Sequence, residues 1–518
     1  MLRSAAVIVA LMAAVGWASL AMPFRGDQAL FAVVAEEMGR GAVLYRDYWD
    51  ITNPGVFWFY QVAGSLYGFT EEGIRHFEWL WVTALVLVVA EATRRGSGGD
   101  RLPLSAVLFV GVPYYLAGYA NTSALTKTEG LVGLPMVLAI GLSARAVGRD
   151  GRVVPLLVAA GFVGGVVVLF KVMLAGLLSV VWLYFAVEFV RTRGQGVKSL
   201  LEFVAGLALG LSLALGPAVG YFAAHGMLEE TARTLFVMPP RFLAEGERAG
   251  DERLAESARW FLGQYAPVLA AAVLATACRL RVRRDPVVIA LGLALLSSFG
   301  VLLAQRLSWW SYHFVLPGTL AGALAAYGWP AVSRAIVERL GRAPSMGERA
   351  VAAVAAGVLF LEPAGGLAYQ ALKLAGHDFG VTARGRREFR EATGTAYRLA
   401  LSETAWLAEP GVEPGPILVC GDPLFYWLSG RKPAAKISSW SLQMYPDEVR
   451  RELATRVKDT SPVYVYVAAR PEGYDELIAR RYPDLTAVLK ADYAPVRRSV
   501  NGVWYARVTS PGRTSPRS

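Results

Sequence analysis

The sequence predicts an all-α polytopic membrane protein with about eleven transmembrane helices and a small C-terminal α/β domain outside the cytoplasm. Of its 518 residues, 55% are hydrophobic and 18% are charged, whereas a soluble domain averages about 25% charged residues. Apolar segments long enough to cross about 30 Å of hydrocarbon recur along residues 5–372. Beyond about residue 376 the hydrophobic runs shorten, and strand-like segments alternate with helical ones.

The apolar segments define the predicted spans. The first also fits a cleaved signal peptide, since Met-Leu-Arg precedes an apolar run that ends in Ala-Ser-Leu-Ala. Either interpretation places Asp27 outside the cytoplasm. The eleven segments lie near residues 5–22, 77–92, 102–118, 130–146, 153–169, 172–190, 199–223, 261–278, 286–304, 312–330 and 350–372.

The loops between these segments alternate in charge. If the N-terminus is cytoplasmic, each cytoplasmic loop is short, basic and poor in acids, as at Arg94 and Arg281. This is the positive-inside pattern, and eleven spans then leave the C-terminus outside. The predicted domains are a membrane domain at 1–375, with a first outer loop at 23–76, and a soluble extracytoplasmic domain at 376–518.

The soluble domain shows local strand and helix signals. Asn501-Gly502 is a hairpin signal within a predicted terminal strand pair, and the last ten residues form a polar tail. The predicted strands are 416–421 and 463–468, the predicted helices are 423–429, 447–457 and 473–482, and the predicted hairpin is 497–508.

Charge and cysteine content exclude other classes. The net charge of +11 and the pI near 9.6 do not indicate a nucleic-acid partner, because the basic residues cluster between apolar runs without an RNA- or DNA-binding motif. Cys278 and Cys420 form no disulfide framework and have no zinc spacing. The four histidines are scattered, which disfavours a zinc site.

The first outer loop carries the densest group of acids beside a predicted span. Acidic side chains are costly near a bilayer, so acids placed where a membrane helix ends mark a functional-site candidate. Apolar residues at helical spacing between Leu30 and Met38 favour a helix lying in the membrane interface. The acids of this loop include Asp27, Glu36, Glu37, Asp47 and Asp50.

Five local patterns follow one another along the membrane part. They comprise an acid after the first span, an aspartate before a proline, an acid opening the fourth span, a lysine between two apolar runs and an aromatic-rich start of a late span. They read Gly26-Asp27-Gln28-Ala29; Asp50-Ile-Thr-Asn-Pro54-Gly55, with Leu66-Tyr-Gly68 and Gly73-Ile-Arg75; Thr128-Glu129-Gly130-Leu131; Leu169-Phe-Lys171; and Trp310-Ser-Tyr312-His313 continuing to Pro317.

In this order and topology, residues 5–372 resemble the bacterial GT-C glycosyltransferases related to protein O-mannosyltransferases and aminoarabinose transferases. The resemblance implies a bacterial plasma-membrane enzyme that transfers a sugar from a polyprenyl phosphate to a hydroxyl of a glycan, lipid or protein acceptor, with inversion. It implies no cofactor, and the acids of the outer loops leave a divalent metal open. The chain departs from the family at Gln28, where some relatives have a second acid, and at Gly55, where a second proline is frequent.

Such a transfer needs particular groups. An acceptor hydroxyl that attacks the anomeric carbon requires a carboxylate to take its proton. The departing phosphate requires cations as charge develops on it. The lipid tail requires a lateral groove within the membrane.

Three acids are candidates for the catalytic role. Asp27 is the candidate base, with capping of the following helix as the alternative. Glu129 is placed as a second carboxylate that orients the acceptor or a neighbouring base, or else as a helix N-terminal charge favoured by the dipole. Asp50 is a weaker candidate, since it also fits an ordinary turn before a proline.

Five residues are candidates for substrate binding. Lys171 lies between apolar runs, so it must contact a partner or cavity, or extend to the interface. Arg306 and His313 flank the tenth span, and Tyr312 beside them also fits an interfacial aromatic belt. Arg241 follows two prolines.

Two other functions remain open: a secondary transporter, which typically has inverted repeats and broken helices, and a non-catalytic membrane assembly protein, which would not need Asp27. Convergence of Asp27, Glu129 and Lys171 on one outward cavity favours the transferase.

Overall fold

The computed structural model describes residues 2–148, 151, 153–246, 250–282, 284–305, 308–339, 365–437, 442–469 and 474–508. Helices dominate this part of the chain, and a single small sheet is found near its C-terminal end. Long apolar segments become helices because a backbone in hydrocarbon has to satisfy its own hydrogen bonds.

The helices follow the apolar segments closely in the first two thirds of the chain. They are α1 (Leu2–Gly16), α2 (Gly26–Gly39), α3 (Pro54–Tyr67), α4 (Glu71–Ser97), α5 (Val112–Ala120), α6 (Thr128–Leu131), α7 (Gly133–Val147), α8 (Val154–Phe170), α9 (Leu174–Arg193), α10 (Val197–Ala224), α11 (Leu228–Ala232), α12 (Met238–Glu245), α13 (Asp251–Val282), α14 (Pro286–Ala304), α15 (Val315–Arg339), α16 (described at 365–375), α17 (Ala383–Thr393), α18 (Thr395–Thr404), α19 (Leu424–Ser429), α20 (Asp447–Thr460), α21 (Tyr474–Arg481) and α22 (Pro483–Asp492).

The membrane class predicted from the sequence is confirmed. Two shorter apolar helices, Val107–Ala120 and Val154–Phe170, match further predicted spans, and α15 matches the tenth. The eleventh predicted span, 350–372, is described only from residue 365, so the count of eleven stays a prediction, as does the orientation. Seven described helices are long and apolar enough to cross a membrane: Leu2–Ala21, Glu71–Ser97, Thr128–Val147, Leu174–Arg193, Val197–Ala224, Asp251–Arg281 and Pro286–Ala304.

The C-terminal sheet has four strands in the order β1-β2-β4-β3. β1 (Ile417–Cys420) pairs parallel with β2 (Tyr464–Ala468), and Ile417 lies opposite Tyr464. β4 (Gly502–Arg507) pairs antiparallel with β2 and with β3 (Tyr493–Arg498). A parallel pair needs a crossover, and the chain between β1 and β2 includes α19 and α20. The α/β class is confirmed, whereas the sequence did not predict α22.

Two compact units divide the chain, and neither is continuous in sequence. One comprises Met1–Met22, Asn53–Ala224 and Ala249–Phe389. The other comprises Pro23–Thr52, His225–Arg248 and Arg390–Ser518, so that it joins pieces of two outer loops to the C-terminal sheet. The predicted division at residue 375 concerns the membrane boundary and stays a prediction.

Small residues allow close helix contacts in the first unit. A Cβ added at Gly161 of α8 would lie 2.2 Å from the carbonyl oxygen of Leu207 in α10. A Cβ added at Gly55 of α3 would lie 2.7 Å from the carbonyl carbon and oxygen of Leu169, near the end of α8. Gly55 therefore lets α3 approach the backbone that leads into Lys171.

Replacing Gly55 by Ala is expected to lower the free energy of unfolding by about 1–3 kcal/mol, because the new methyl group meets backbone atoms that cannot rotate away. Thermal unfolding of the detergent-solubilised protein measures this change. Gly176→Ala in α9 is the matched control, since nothing lies within 4 Å of its added Cβ and alanine favours a helix. Equal unfolding temperatures for the two variants would contradict the close contact.

Candidate active site

Lys171 lies where α8 ends, with an extended backbone that turns the chain toward α9. Its ammonium nitrogen Nζ is 2.5 Å from Oε1 of Glu129 and 2.7 Å from Oε1 of Gln305. The lysine side chain is 16% exposed and the glutamate side chain 8%. The ammonium therefore contacts two partners on other elements, which argues against the alternative that it extends to the interface.

Glu129 lies in the first turn of α6, where a carboxylate is favoured by the helix dipole. A second candidate side chain approaches the same oxygen, since Nε2 of His313 is 3.8 Å from Oε1. His313 is buried in a short 3₁₀ helix, Ser311–Phe314, that leads into α15. The structure thus brings Glu129, Lys171 and His313 together from three separate parts of the sequence.

The surroundings of this cluster add residues that the sequence analysis missed. Lys127 is nearly buried, and its Nζ lies 4.5 Å from the ring centroid of Tyr312, a cation–π arrangement. Asn121 donates from Nδ2 to Oγ of Ser311 at 2.8 Å, which joins the loop before α6 to the 3₁₀ helix. A lysine two residues before Glu129, in a short loop between apolar runs, was the available signal.

A buried polar network supports the loop before α6. Arg75 and Glu78 of α4 are fully buried and form an ion pair with 3.1 Å between Nη1 and Oε2. Arg75 also donates to Oγ1 of Thr126 at 2.6 Å. Oε1 of Glu78 accepts from the Tyr114 hydroxyl at 2.5 Å and from the backbone N–H of Thr126. The hydroxyl of Tyr60 donates to the carbonyl of Thr126 at 3.1 Å.

Thr126 is the residue on which this network converges. Its φ is +49°, which is strained for a β-branched residue. Such a conformation persists only where the surroundings fix it, and here donors and acceptors on α3, α4 and α5 contact both its backbone and its side chain. The network therefore sets the path of the chain from Thr126 through Lys127 to Glu129. The signal in the sequence was a charge pair three residues apart at the start of a predicted span.

Replacing Arg75 by Met is expected to destabilise the protein by about 3–5 kcal/mol, because Glu78 would remain buried without its ionic partner. The double variant Arg75→Met/Glu78→Gln removes both charges and is expected to recover part of this loss. Thermal unfolding of wild type and both variants is the measurement. A single variant as stable as wild type would show that the pair does not fix this region.

Asp27 belongs to the second unit and lies in the first turn of α2. The alternative that Asp27 caps the helix is wrong, because the helix begins at Gly26 and its N-cap is Arg25. The side chain of Gln28 closes this end instead, since its Oε1 accepts from the backbone N–H of Arg25 at 2.9 Å. A glutamine at the position where some relatives have an acid thus serves the helix start.

Asp422 is a further acid at this helix start. It follows β1 and accepts backbone N–H groups from Leu424, at 2.9 Å, and from Gly26. Burial, together with the charge of Asp27, raises the pKa of Asp422 to about 6, while Arg25 and the two backbone donors act in the opposite direction. The sequence analysis considered Asp422 but favoured an ordinary turn.

The remaining candidates have other environments. Asp50 is buried, and its Oδ1 accepts the backbone N–H of Thr52 at 2.9 Å, the geometry of an aspartate turn. Arg241 is 2.5 Å from Glu448 in an ion pair. Arg306 lies outside the described residues. Within the described ranges, no group of three or more His, Cys, Asp or Glu side chains has the arrangement of a metal site.

Comparisons with known proteins show the fold. No model of a protein family matches the sequence, and no curated protein matches it. The crystal structure of ArnT from Cupriavidus metallidurans bound to undecaprenyl phosphate superposes with a TM-score of 0.61 at 16% identity, covering 98% of this chain and 99% of that one. The apo form of ArnT gives 0.58 at 18% identity with the same coverage. The chain therefore has the GT-C fold that its resemblance implied.

Proposed function

We propose that this chain is a membrane glycosyltransferase that moves a sugar from a polyprenyl phosphate to an acceptor hydroxyl on the outer face of the membrane. The observation that carries the proposal is the cluster of Lys171, Glu129 and His313 at helix ends. A chain with the fold of ArnT, whose structure was determined with undecaprenyl phosphate, supports a lipid phosphate as the anion for these cations.

The donor phosphate would bind at Lys171. In the described structure its ammonium is neutralised by Glu129 and bonded to Gln305, so a phosphate would compete for a lysine that is already oriented. Lysine is a strong phosphate ligand because it places a compact charge. His313, Tyr312 and Arg306 are proposed to complete the donor site, with Arg241 as a weaker contributor because Glu448 already pairs with it.

The acceptor would be activated by Asp27. Its carboxylate takes the hydroxyl proton as the acceptor oxygen forms a bond to the anomeric carbon. The bond from that carbon to the phosphate oxygen breaks, and the polyprenyl phosphate leaves with the electron pair. Attack on the face opposite the leaving group inverts the anomeric centre. Glu129 would hold Lys171 in place and orient the acceptor, and Asp50 would contribute through the shape of its loop.

The location of the reaction rests on charge and hydropathy. The positive-inside pattern supports a cytoplasmic N-terminus and an extracytoplasmic C-terminal domain in a bacterial plasma membrane. The acceptor class, whether glycan, lipid or protein, is left open by this site, and no cofactor is assigned.

Lipid analysis of a deletion strain tests the proposal. The strain is expected to accumulate a glycosyl phosphate polyprenol, because the sugar donor is no longer consumed. Expression of the wild-type chain should remove this lipid, and expression of Asp27→Asn should not. A transporter or an assembly protein predicts no such lipid, or full rescue by Asp27→Asn, and either result would contradict the transferase.

A further inference from the structure

The start of α2 is attached to the C-terminal domain at several points within the second unit. The ring of Phe24, which is fully buried, lies 5.4 Å from that of Trp427 in α19. Near the other end of the helix, Glu37 pairs with Lys432 at 2.6 Å. Beyond the helix, the backbone N–H of Trp49 donates to the carbonyl of Lys436 at 2.7 Å. The segment that carries Asp27 thus packs along the domain whose role the sequence left open.

At the position of Asp27 itself, the contact is made by a carboxylate. The first four N–H groups of a helix have no partner within the helix, and the N–H of Gly26 donates to Asp422. Asp422 is in turn fixed by the N–H of Leu424 at 2.9 Å, in the tight turn between β1 and α19. Gly26 has a φ of +37°, so a positive φ at the first residue of α2 coincides with this hydrogen bond.

We propose that Asp422 is a positioning residue for Asp27: it holds the first turn of α2 through Gly26 and places a second negative charge beside the base. The inference rests on the proposed function for its catalytic part, and it assigns the C-terminal domain a direct part in the reaction. An ionised Asp422 disfavours a second negative charge nearby, which makes Asp27 a better proton acceptor. A protonated Asp422 removes this effect.

The charges around Asp422 are accounted for by the elements packed against it. From α2 they are Asp27 and Arg25, which act in opposite directions. On α18, which packs against α19, Arg398 donates to the carbonyl of Glu391, and Glu403 accepts from Asn501 at 3.0 Å. The pKa of Asp422 is about 6, so its carboxyl is mostly ionised above pH 6 and mostly protonated below. Transfer is therefore expected to decline as the pH falls through about 6.

The test compares Asp422→Asn with wild type. The amide keeps an acceptor for Leu424 but has no charge, so the variant should resemble the protonated state at every pH. Its kcat at pH 8 should fall about tenfold with little change in the acceptor KM, because a small displacement of a catalytic group is costly. The decline of activity near pH 6 should disappear from its pH profile. A profile and kcat like those of wild type would overturn the proposal.

Two further measurements separate this inference from its premise. Lys432→Met is the matched control, since it removes another contact between α2 and the C-terminal domain but should keep the wild-type pH profile; the same loss of the pH 6 limb in this variant would overturn the specific role of Asp422. Hydrogen exchange of a peptide covering 23–30 needs no transferase activity. It should be faster in Asp422→Asn and unchanged in Lys432→Met. Equal exchange in wild type and Asp422→Asn would refute the contact even if the transferase assignment itself failed.

Discussion

Replacing Asp27 by Asn is expected to lower the rate of sugar transfer by about 10²-fold or more, because the amide cannot accept the acceptor proton. The fold should survive the change. Asparagine has nearly the same shape as aspartate, and the start of α2 is closed by Gln28 and Arg25 rather than by Asp27. The loss should therefore appear in kcat at saturating donor, with unfolding temperature close to that of wild type.

Glu36→Gln is the control for Asp27→Asn, since it removes an acid from the same helix whose contact is an exposed pair with Arg40. Surface pairs of this kind contribute little, so this variant should transfer sugar normally. If Asp27→Asn keeps near-normal turnover while Glu129→Gln is inactive, the base is Glu129 instead. If both variants are near normal, neither acid is the base.

Replacing Lys171 by Ala is expected to reduce kcat/KM for the donor by about 10²-fold, because a charge that faces the departing phosphate is lost. Lys171→Arg should recover part of the activity, since charge is kept but the geometry of phosphate contact differs. Kinetics with varied donor concentration, together with direct binding of donor to purified protein, measure the effect. Unchanged donor affinity in folded Lys171→Ala would assign the lysine a purely structural role.

Stability has to be separated from donor binding at this position. Lys171→Ala leaves Glu129 buried without its ion partner, which can cost about 3–5 kcal/mol. The double variant Lys171→Met/Glu129→Gln is neutral at both positions and should unfold closer to wild type. It should still fail to use donor. Recovery of donor use along with stability would show that the lysine acts only through folding.

The membrane class and the elements of the C-terminal domain could be predicted from the sequence because their signals are local. An apolar run of sufficient length has few alternatives to a helix in hydrocarbon. The strands at 417–420 and 464–468 coincide with short apolar runs bounded by turn residues. The hairpin was anticipated from Asn501-Gly502, although β3 begins four residues before the predicted range, at Tyr493.

Long-range pairing is what the local pattern could not reveal. Glu37 was expected on the wet face of an interfacial helix, yet it is buried because Lys432, 395 residues further on, pairs with it. The same holds for α2 as a whole, most of whose residues are buried. Asp422 resembled any turn aspartate, since nothing near it in the sequence indicates that the start of α2 lies beside it.

The candidate site was predictable in part for the same reason. Glu129, Lys171 and His313 attract notice because charged or titratable groups beside apolar runs need partners, and the structure brings these three together. Gln305 and Lys127 carry no such local signal, and their contacts with Lys171 and Tyr312 depend on helices that meet only in the folded chain. The catalytic roles assigned to the individual residues stay predictions.

Reconstitution of the reaction tests the central claim most directly. Purified protein in lipid nanodiscs would receive the lipid that accumulates in the deletion strain, together with a cell-envelope extract as the source of acceptor. The account predicts that wild-type protein converts the glycosyl phosphate polyprenol into free polyprenyl phosphate and glycosylated acceptor, and that Asp27→Asn does so about 10²-fold more slowly or not at all. No conversion by the wild-type protein, or equal conversion by the two proteins, would contradict it.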